Sequence, residues 1–297
     1  MLRTFLTSSL RTQRLVIHRT AIRTLSYSAI RHDELSDKGK NGRRTIPKDM
    51  LREIRSSVPK PMRNEFSHTL STEELRKIEV NSDSHYVPQR IGDRLAYRIV
   101  RILRLLPDLY FRDDHYMRAL MLETIAAVPG MVGGMQRHMR SLSNLKPDTG
   151  WIIHLLHEAE NERMHLMIFM KCIQPNFFNR LLILFAQGVF FNSYLLLYCI
   201  SSQTAHRFTG YLEEEAIHSY THFLNDLEAG KIPDRPAPQL SIDYYNLLPS
   251  ATIRDVVLAV RADEALHRDA NHYFSDRIAH HDEDLTKDIP GEDKKEQ

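Results

Sequence analysis

Six side chains of two chemical types recur in a fixed order along the chain. They are Glu123, Glu162, His165, Glu213, Glu264 and His267, and they form the pattern E…ExxH…E…ExxH. Residues three apart in an α-helix lie about 60° apart around the axis, so each ExxH pair directs a carboxylate and an imidazole towards one point. Two such pairs, each preceded by a glutamate in an apolar stretch, are the ligand set with which four inward-facing helices hold two metal ions.

The chemistry of these ligands indicates which metal they would bind. Four buried carboxylates would be close to neutral beside two divalent cations, whereas without a cation they would be difficult to bury. Oxygen and imidazole ligands suit iron or manganese, and two adjacent ions can share a two- or four-electron reaction. A lone glutamate of this kind is more often a solvated helix charge, but the six together favour the metal site. We therefore predict a di-iron centre.

Four helices must bring the ligands together, and apolar periodicity predicts them at 115–141, 151–171, 180–227 and 251–279. Pro107, Pro129, Pro175 and the stretch 230–238 are predicted bends or boundaries. Pro129 lies inside the first helix, where a kink is expected, and Ser250 is a candidate N-cap of the last. The predicted fold class is all-α, a ferritin-like four-helix bundle with additional amphipathic membrane-binding helices.

The bundle would occupy residues 90–280 of the 297-residue chain. Residues 1–32 are rich in arginine and lack acidic residues, which predicts a mitochondrial transit peptide, with a basic disordered tail as the alternative. Residues 33–89 are polar and interrupted by prolines, which predicts an N-terminal arm that wraps the bundle or a partner subunit. Residues 281–297 form a charged tail that we expect to be disordered.

Charge and cysteine content exclude other classes. The net charge of +2 is too small, and the basic residues too scattered, for a nucleic-acid-binding protein. Cys172 and Cys199 have no CxxC spacing and lie in apolar surroundings, so we expect two buried thiols rather than a disulfide or a zinc site.

Two segments have the composition of membrane-facing helices. Arginines recur at helical spacing beside an apolar stripe in residues 90–106, which is typical of a helix at a membrane interface or packed on another helix. Residues 181–200 are almost wholly apolar and about as long as a bilayer span. A spanning helix would separate Glu162 from Glu213, so we predict a monotopic protein that inserts into one leaflet. A dimer interface is the alternative use of the same surface.

The sequence around the ligands resembles that of the mitochondrial alternative oxidases. The similar segments are LET at 122–124, NERMHL at 161–166, LEEEA at 212–216 and RADEALH at 261–267, with AAVPGMVGGM at 126–135 and DYY at 243–245 between them. The resemblance extends from Asp93 to Asp276. It implies a cyanide-insensitive ubiquinol oxidase, usually a homodimer, bound to lipid on the matrix face of the mitochondrial inner membrane.

The resemblance also implies roles for residues around the ligands. Tyr220 would lie near the metals and take part in the oxygen chemistry, a buried structural phenol being the alternative. Asn161 and Asp263 would orient and tune the centre. The positions that match the family's quinol pocket are Arg118, Leu122, Glu215, Ala216, Ser219, Arg104 and Asp108. Many members have threonine at the position of Ser219 and tryptophan near that of Leu247.

The predicted reaction transfers electrons from ubiquinol to dioxygen at the di-iron centre, and gives ubiquinone and water without proton pumping. Competing enzymes are a di-iron quinone hydroxylase and a plastid quinol oxidase. Competing proteins of other classes are a ferritin-like iron-binding protein and a membrane-associated dimer whose metals only brace the bundle. Because no cysteine precedes Cys172, we predict no N-terminal thiol switch.

Overall fold

Helices make up most of residues 59–285, the part of the chain that the computed structural model describes. In chain order they are α1 (Thr72–Lys77), α2 (Ile91–Phe111), α3 (His115–Asn144), α4 (Trp151–Cys172), α5 (Phe177–Ile200), α6 (Ser202–Glu228), α7 (Gln239–Tyr245) and α8 (Ile253–Ala279). A 3-10 turn, Asn64–Ser67, precedes α1. The prediction of an all-α helical bundle is confirmed. The predicted transit peptide lies outside the described residues, as do residues 33–58 of the arm and 286–297 of the tail.

Four long helices, α3, α4, α6 and α8, build the bundle and carry the six predicted ligands. The largest contacts join α6 to α8 and α3 to α4, while α2 packs on α6, and α5 packs on α3 and α6. Gly130 allows α3 to approach α4 closely, because a Cβ at this position would lie 2.4 Å from the Leu155 carbonyl oxygen. Buried apolar side chains such as Leu120, Ile168 and Val256 fill the space between the helices.

The predicted third ligand helix, 180–227, is two helices in the structure. Ser201 ends α5 and caps α6, because its hydroxyl accepts a hydrogen bond from the Thr204 backbone N–H at 3.2 Å. A capping serine satisfies one of the unpaired N–H groups at a helix start, which favours a new helix at this point. Glu213 therefore lies near the middle of a bundle helix rather than near the end of one long helix.

The prediction that Pro107 ends the basic helix is wrong, since α2 continues from Ile91 to Phe111. A proline within a helix removes one backbone hydrogen bond. The chain beyond it is held by Asp108, whose carboxylate lies 3.2 Å from Arg104 Nε one turn earlier. The helix α2 thus continues by one turn beyond Pro107, and the ion pair between Arg104 and Asp108 spans the proline.

The cap predicted at Ser250 is also wrong. The helix α8 begins after Thr252, which forms a capping box with Asp255, so each side chain binds the other's backbone N–H. Pro129 lies inside α3, as predicted. The short helix α7 lies between the predicted third and fourth ligand helices, where the sequence predicted no helix.

The described parts of the arm and the tail contact the bundle. Arg63 Nη1 donates to the Ala262 carbonyl oxygen at 3.0 Å, and Phe66 is buried in the main apolar cluster. At the other end, Glu283 lies 2.5 Å from Arg137 Nη1.

Cys172 is half-buried, but Cys199 is exposed, so the prediction of a buried thiol is wrong there. The helix α5 that carries Cys199 exposes most of its surface, which explains the difference.

Candidate active site

The six predicted ligands converge inside the bundle. One glutamate comes from α3 and one from α6, and an ExxH pair comes from each of α4 and α8. All six residues are between 0 and 5% exposed. Four of them place one potential ligand atom each within 4.8 Å of one another, namely Glu123, Glu162, His165 and Glu264. Three of the four bundle helices therefore already meet at one point.

The other two predicted ligands adjoin this group. His267 Nδ1 lies 2.5 Å from Glu162 Oε1, and the Glu213 carboxyl is hydrogen-bonded to Glu264. Within the ExxH pairs, His165 Nδ1 lies 3.4 Å from Glu162 Oε2, and His267 Nδ1 lies 3.7 Å from Glu264 Oε2. The three-residue spacing thus brings each carboxylate beside its imidazole, as predicted.

Many of these side-chain atoms are buried and, despite their close polar neighbours, make no well-aligned hydrogen bond among the described residues. Both Glu162 oxygens, both His267 ring nitrogens, Glu123 Oε2, Glu264 Oε2 and His165 Nδ1 are in this state. Most buried polar atoms in proteins have partners, so a cluster of unpaired lone pairs in one small volume needs an explanation. Metal ions accept such lone pairs, and this mixture of oxygen and nitrogen donors suits iron. The residues therefore fit a carboxylate-rich metal centre.

The pKa shifts of the clustered side chains indicate that their carboxylates create a strongly negative electrostatic potential. Burial raises the pKa of Glu123 and of Glu213 well above the ordinary value, and neighbouring carboxylates raise it further. Burial alone would lower the pKa of His267, but the Glu162 carboxylate raises it well above its usual value. Protons are thus held on both kinds of side chain because the carboxylates are crowded. The same field attracts divalent cations.

A hydrogen-bond network supports the histidine of α4. His165 Nε2 lies 3.3 Å from Asp263 Oδ2, and that same oxygen accepts from Asn161 Nδ2 at 2.9 Å and from the Tyr245 hydroxyl at 2.9 Å. Asn161 Nδ2 also donates to the Tyr244 hydroxyl at 2.8 Å. Carboxylates that bind the distal nitrogen of a metal-ligating histidine fix its orientation and its basicity. Asn161 and Asp263 have the positions that such a role requires.

Tyr244 and Tyr245 are members of this network to which the sequence assigned no role. Both belong to α7, the short helix in the connection before α8, and are 2% and 0% exposed. Burial raises the pKa of Tyr244 to about 12, so its hydroxyl stays protonated. The sequence signals were the adjacent tyrosines in a polar connection and the similarity of DYY at 243–245 to the family.

A cavity of about 820 Å³ adjoins the ligand cluster and is lined by α2, α3, α5, α6 and one residue of α8. It contains all seven residues that match the family's quinol pocket, namely Arg104, Asp108, Arg118, Leu122, Glu215, Ala216 and Ser219. Its wall also includes Glu123, Glu213, Glu264 and Tyr220. The volume is within the usual range for a small-molecule site, and most of the lining is apolar.

Charged side chains form a connected row along the cavity wall. Arg118 Nη2 lies 2.8 Å from Asp108 Oδ1, and Arg104 Nε lies 3.2 Å from the other oxygen of Asp108. Arg104 also contacts the Glu215 carboxylate, and Arg101 Nη1 lies 3.3 Å from it. Two carboxylates therefore hold the arginines in place, with Arg118 only 8% exposed.

Tyr220 lies where the cavity meets the ligand cluster. Its hydroxyl donates a hydrogen bond to Glu123 Oε1, and its ring stacks on Phe169 with centroids 5.9 Å apart. Burial and the neighbouring Glu123 carboxylate raise the pKa of this phenol well above its ordinary value. The phenol is thus protonated and bound to a predicted ligand.

Comparison with known proteins gives a family match over most of the chain. The model of the family described as "Alternative oxidase" matches residues 70–276. The chain belongs to the alternative oxidase family. This confirms the resemblance seen in the sequence, together with the prediction of an oxidoreductase. The individual roles of the site residues stay predictions.

Relatives of this alternative oxidase share about half of its residues. "Ubiquinol oxidase, mitochondrial" of Batrachochytrium dendrobatidis is 56% identical over 243 residues, which cover 81% of the chain and 77% of that protein. "Ubiquinol oxidase, mitochondrial" of Mangifera indica is 54% identical over 199 residues, 67% of the chain and 63% of the relative. "Alternative oxidase 3, mitochondrial" of Glycine max is 50% identical over 213 residues, 72% and 65% respectively. The chain thus spans somewhat less than two thirds of the latter two.

Proposed function

We propose that the chain is a ubiquinol oxidase of the mitochondrial inner membrane, which passes electrons from ubiquinol to dioxygen at a di-iron centre without pumping protons. The observation that carries this proposal is the shared boundary of the cavity and the ligand cluster. Glu123, Glu213 and Glu264 belong to both, so a quinol in the cavity would lie beside the metal ligands. The names of the relatives, ubiquinol oxidases, support the choice of ubiquinol as the donor.

The proposed metal ligands are Glu123, Glu162, His165, Glu213, Glu264 and His267. When bound, two iron ions would supply the electron transfer to dioxygen that no side chain of this chain can perform. The protein's contribution is to hold the ligands in a dry interior and to orient them. The Asp263 carboxylate performs the second task for His165, because it binds the ring nitrogen on the side away from the other ligands.

Arg118 and its neighbours would bind the polar end of the quinol. A quinol hydroxyl needs a hydrogen-bond partner when it enters an apolar cavity. Arg118 and Glu215 offer a donor and an acceptor on the wall, and the ion pairs with Asp108 and Arg104 keep both in place before the substrate arrives. Pre-positioned groups of this kind lower the entropic cost of binding.

Tyr220 would act at the boundary between the cavity and the centre. Its hydroxyl holds a proton, and the hydrogen bond to Glu123 directs that proton towards the ligand cluster. A phenol at this position can donate a hydrogen atom or a proton during oxygen reduction, which no apolar side chain could do. We therefore assign Tyr220 a part in the oxygen chemistry rather than a purely structural role.

The outer surface of the cavity supports a monotopic attachment to one leaflet. By length and composition α5 could cross a membrane, and only 11% of its most apolar window is buried. Leu106 of α2 and Phe185 of α5 line the cavity and are 66% and 68% exposed. Because α5 packs along α3 and α6, it would lie on the bilayer with its exposed side in the acyl region. Ubiquinol would then enter the cavity directly from the lipid.

The homodimer remains a prediction. A second surface with exposed apolar side chains supports it. Apolar side chains of α3 and α4 are exposed in a group, among them Met135, Met139, Leu142, Ile153 and Leu156. Contiguous exposed apolar side chains of this kind often mark a protein interface. The mass of the detergent-solubilised protein would distinguish a dimer from a monomer.

Oxygen uptake by the purified, iron-loaded protein with ubiquinol in the presence of cyanide tests the proposal. We expect two quinols to be oxidised for each dioxygen consumed, with no superoxide or peroxide released. A quinone hydroxylase would instead incorporate oxygen into the organic product. A ferritin-like iron store would bind iron but leave ubiquinol unoxidised, which would refute the proposal.

A further inference from the structure

A second group of titratable side chains reaches the cavity through one member, His115. It consists of His115 on α3, His222 and Asp226 on α6, and Lys231 in the following connection. His115 Nε2 lies 2.9 Å from Asp226 Oδ2, His222 Nε2 lies 3.7 Å from the same oxygen, and Lys231 Nζ lies 2.7 Å from Asp226 Oδ1. The Asp226 carboxylate therefore contacts the other three side chains, which are two imidazoles and one ammonium group.

One end of this group faces the cavity and the other faces solvent. His115 is 3% exposed, yet it lines the cavity together with Arg118 and Leu122. These residues are three and seven positions later on the same helix, so the three share one face of α3. The side chains of His222 and Lys231, by contrast, are 51% and 67% exposed. A line of exchangeable protons thus leads from the proposed quinol site to the surface.

We propose that His115 and Asp226 form a proton path that carries a quinol proton from the cavity to solvent, an inference that rests on the proposed function. When a quinol O–H bond breaks, its proton binds His115 Nδ1, and the electrons pass to dioxygen, the oxidant of the proposed reaction. Reduction of dioxygen to water takes up one proton per electron from the same side of the membrane, so no net proton is moved across it. The Nε2–H proton of the resulting imidazolium then passes through Asp226 Oδ2 without resting there, because the hydrogen bonds from Lys231 and His115 hold the pKa of Asp226 at about 2. From there it leaves through His222 or water at the surface. His115 returns to its neutral form by ring flip or by proton exchange.

The surroundings of His115 suit a proton acceptor. The charged or titratable groups that face it are Asp226 and His222 from α6 and Arg118 from its own helix, while Lys231 acts through Asp226. Burial lowers the pKa of His115, although the Asp226 hydrogen bond opposes this, so the resting ring is neutral and would release readily a proton taken up at its other nitrogen. Phe223 stacks on the ring at 5.0 Å and holds its plane against the cavity wall.

The same ligand types could hold a metal ion, but two observations favour protons. Lys231 already neutralises the Asp226 carboxylate at 2.7 Å, and the His115 imidazole is already hydrogen-bonded to it. A cation would have to displace both partners. Added Zn²⁺ can compete for this site, however, since the ligand atoms of His115, His222 and Asp226 lie within 4.8 Å of one another.

The first test measures steady-state quinol oxidation by the full-length, iron-loaded protein in liposomes. The variant His115→Gln should lose at least about tenfold in kcat, with unchanged iron content and a larger solvent deuterium isotope effect. In His115→Ala, free imidazole should restore part of the rate, which a residue with a packing role alone would not allow. The matched control His138→Gln, an exposed histidine on the same helix, should behave as the wild type.

A second measurement decides the question even if substitution of the buried His115 prevents folding. Zn²⁺ should slow turnover of the wild-type protein, and the surface variant His222→Gln should be several times less sensitive. Equal sensitivity of the two proteins, or wild-type turnover in His115→Gln, would overturn the proton path. Failure of the proposed function would look different, because the wild-type protein itself would then show no quinol-dependent oxygen uptake.

Discussion

The two sides of the ligand cluster differ in what surrounds them. Glu123, Glu213 and Glu264 line the large apolar cavity, whereas Glu162, His165 and His267 do not. On the closed side, Asp263 accepts hydrogen bonds from Asn161 and Tyr245 and binds His165. On the open side, the Tyr220 hydroxyl donates a hydrogen bond to Glu123, and the Glu213 carboxyl is hydrogen-bonded to Glu264.

Because of this difference, we expect the two sides of the cluster to have different functions. The closed side is buried and holds His165 through a polar network, so it would fix the position of a metal centre and keep water away from it. The open side borders the cavity and has room for a substrate. Substitutions on the closed side should therefore act through metal binding, and substitutions on the open side should act through turnover or quinol affinity.

Glu162→Ala should abolish iron binding and oxygen uptake together. Glu162 has no hydrogen-bond partner for either oxygen among the described residues, and it lies between the two histidines. Iron content per chain and the oxygen-uptake rate would both be measured. The control is Glu160→Ala on the same helix, whose carboxylate pairs with Arg163 at the half-exposed surface. Retained quinol oxidation in Glu162→Ala would contradict the ligand assignment.

Tyr220→Phe should lower kcat by about 100-fold or more while the iron content stays at the wild-type level. The change removes the hydroxyl that binds Glu123 but keeps the ring that stacks on Phe169. The matched control is Tyr116→Phe, because the Tyr116 hydroxyl is buried without a partner among the described residues. If both variants turn over at the wild-type rate, Tyr220 has a structural role only.

Asp263→Asn should weaken iron retention by about 10- to 100-fold, the usual effect of losing a carboxylate behind a histidine ligand. The substitution keeps the shape of the side chain but removes the charge that binds His165. Iron remaining after dialysis against a chelator would be measured beside Asp269→Asn, an exposed aspartate on the same helix. An Asp263→Asn protein with full iron but slow turnover would reverse the proposed division between the two sides.

Ser219→Thr should change the KM for ubiquinol by roughly fourfold at most, the free-energy equivalent of one buried methyl group. The hydroxyl of Ser219 donates to the Glu215 carbonyl oxygen at 2.9 Å, and threonine can make the same bond. Iron content should not change. A loss of iron would show that this side of the site also positions the ligands.

The ligand set could be predicted from the sequence because its geometry is local. A carboxylate and an imidazole three residues apart meet on any α-helix, and four such helices leave few other arrangements. The roles of Tyr244 and Tyr245 could not be predicted in this way. Their hydroxyls meet Asn161 and Asp263 across helices, and no spacing within one element encodes that contact.

Helix ends were harder to predict than helix faces. Pro107 was expected to stop α2, but the ion pair between Arg104 and Asp108 crosses it. Ser201 was hidden in an apolar run, although its hydroxyl starts a new helix. The cavity was anticipated only through the family resemblance, because its walls come from helices that are distant in sequence. Such features depend on tertiary contacts that override local signals.

The position of the metals in the iron-loaded protein tests the account most directly. Anomalous diffraction at the iron edge would locate them without reference to activity. We predict two iron peaks within the cluster formed by Glu123, Glu162, His165, Glu213, Glu264 and His267, both on the cavity's inner wall. A lone peak, or iron bound elsewhere in the bundle, would contradict the di-iron assignment and the quinol oxidase activity inferred from it.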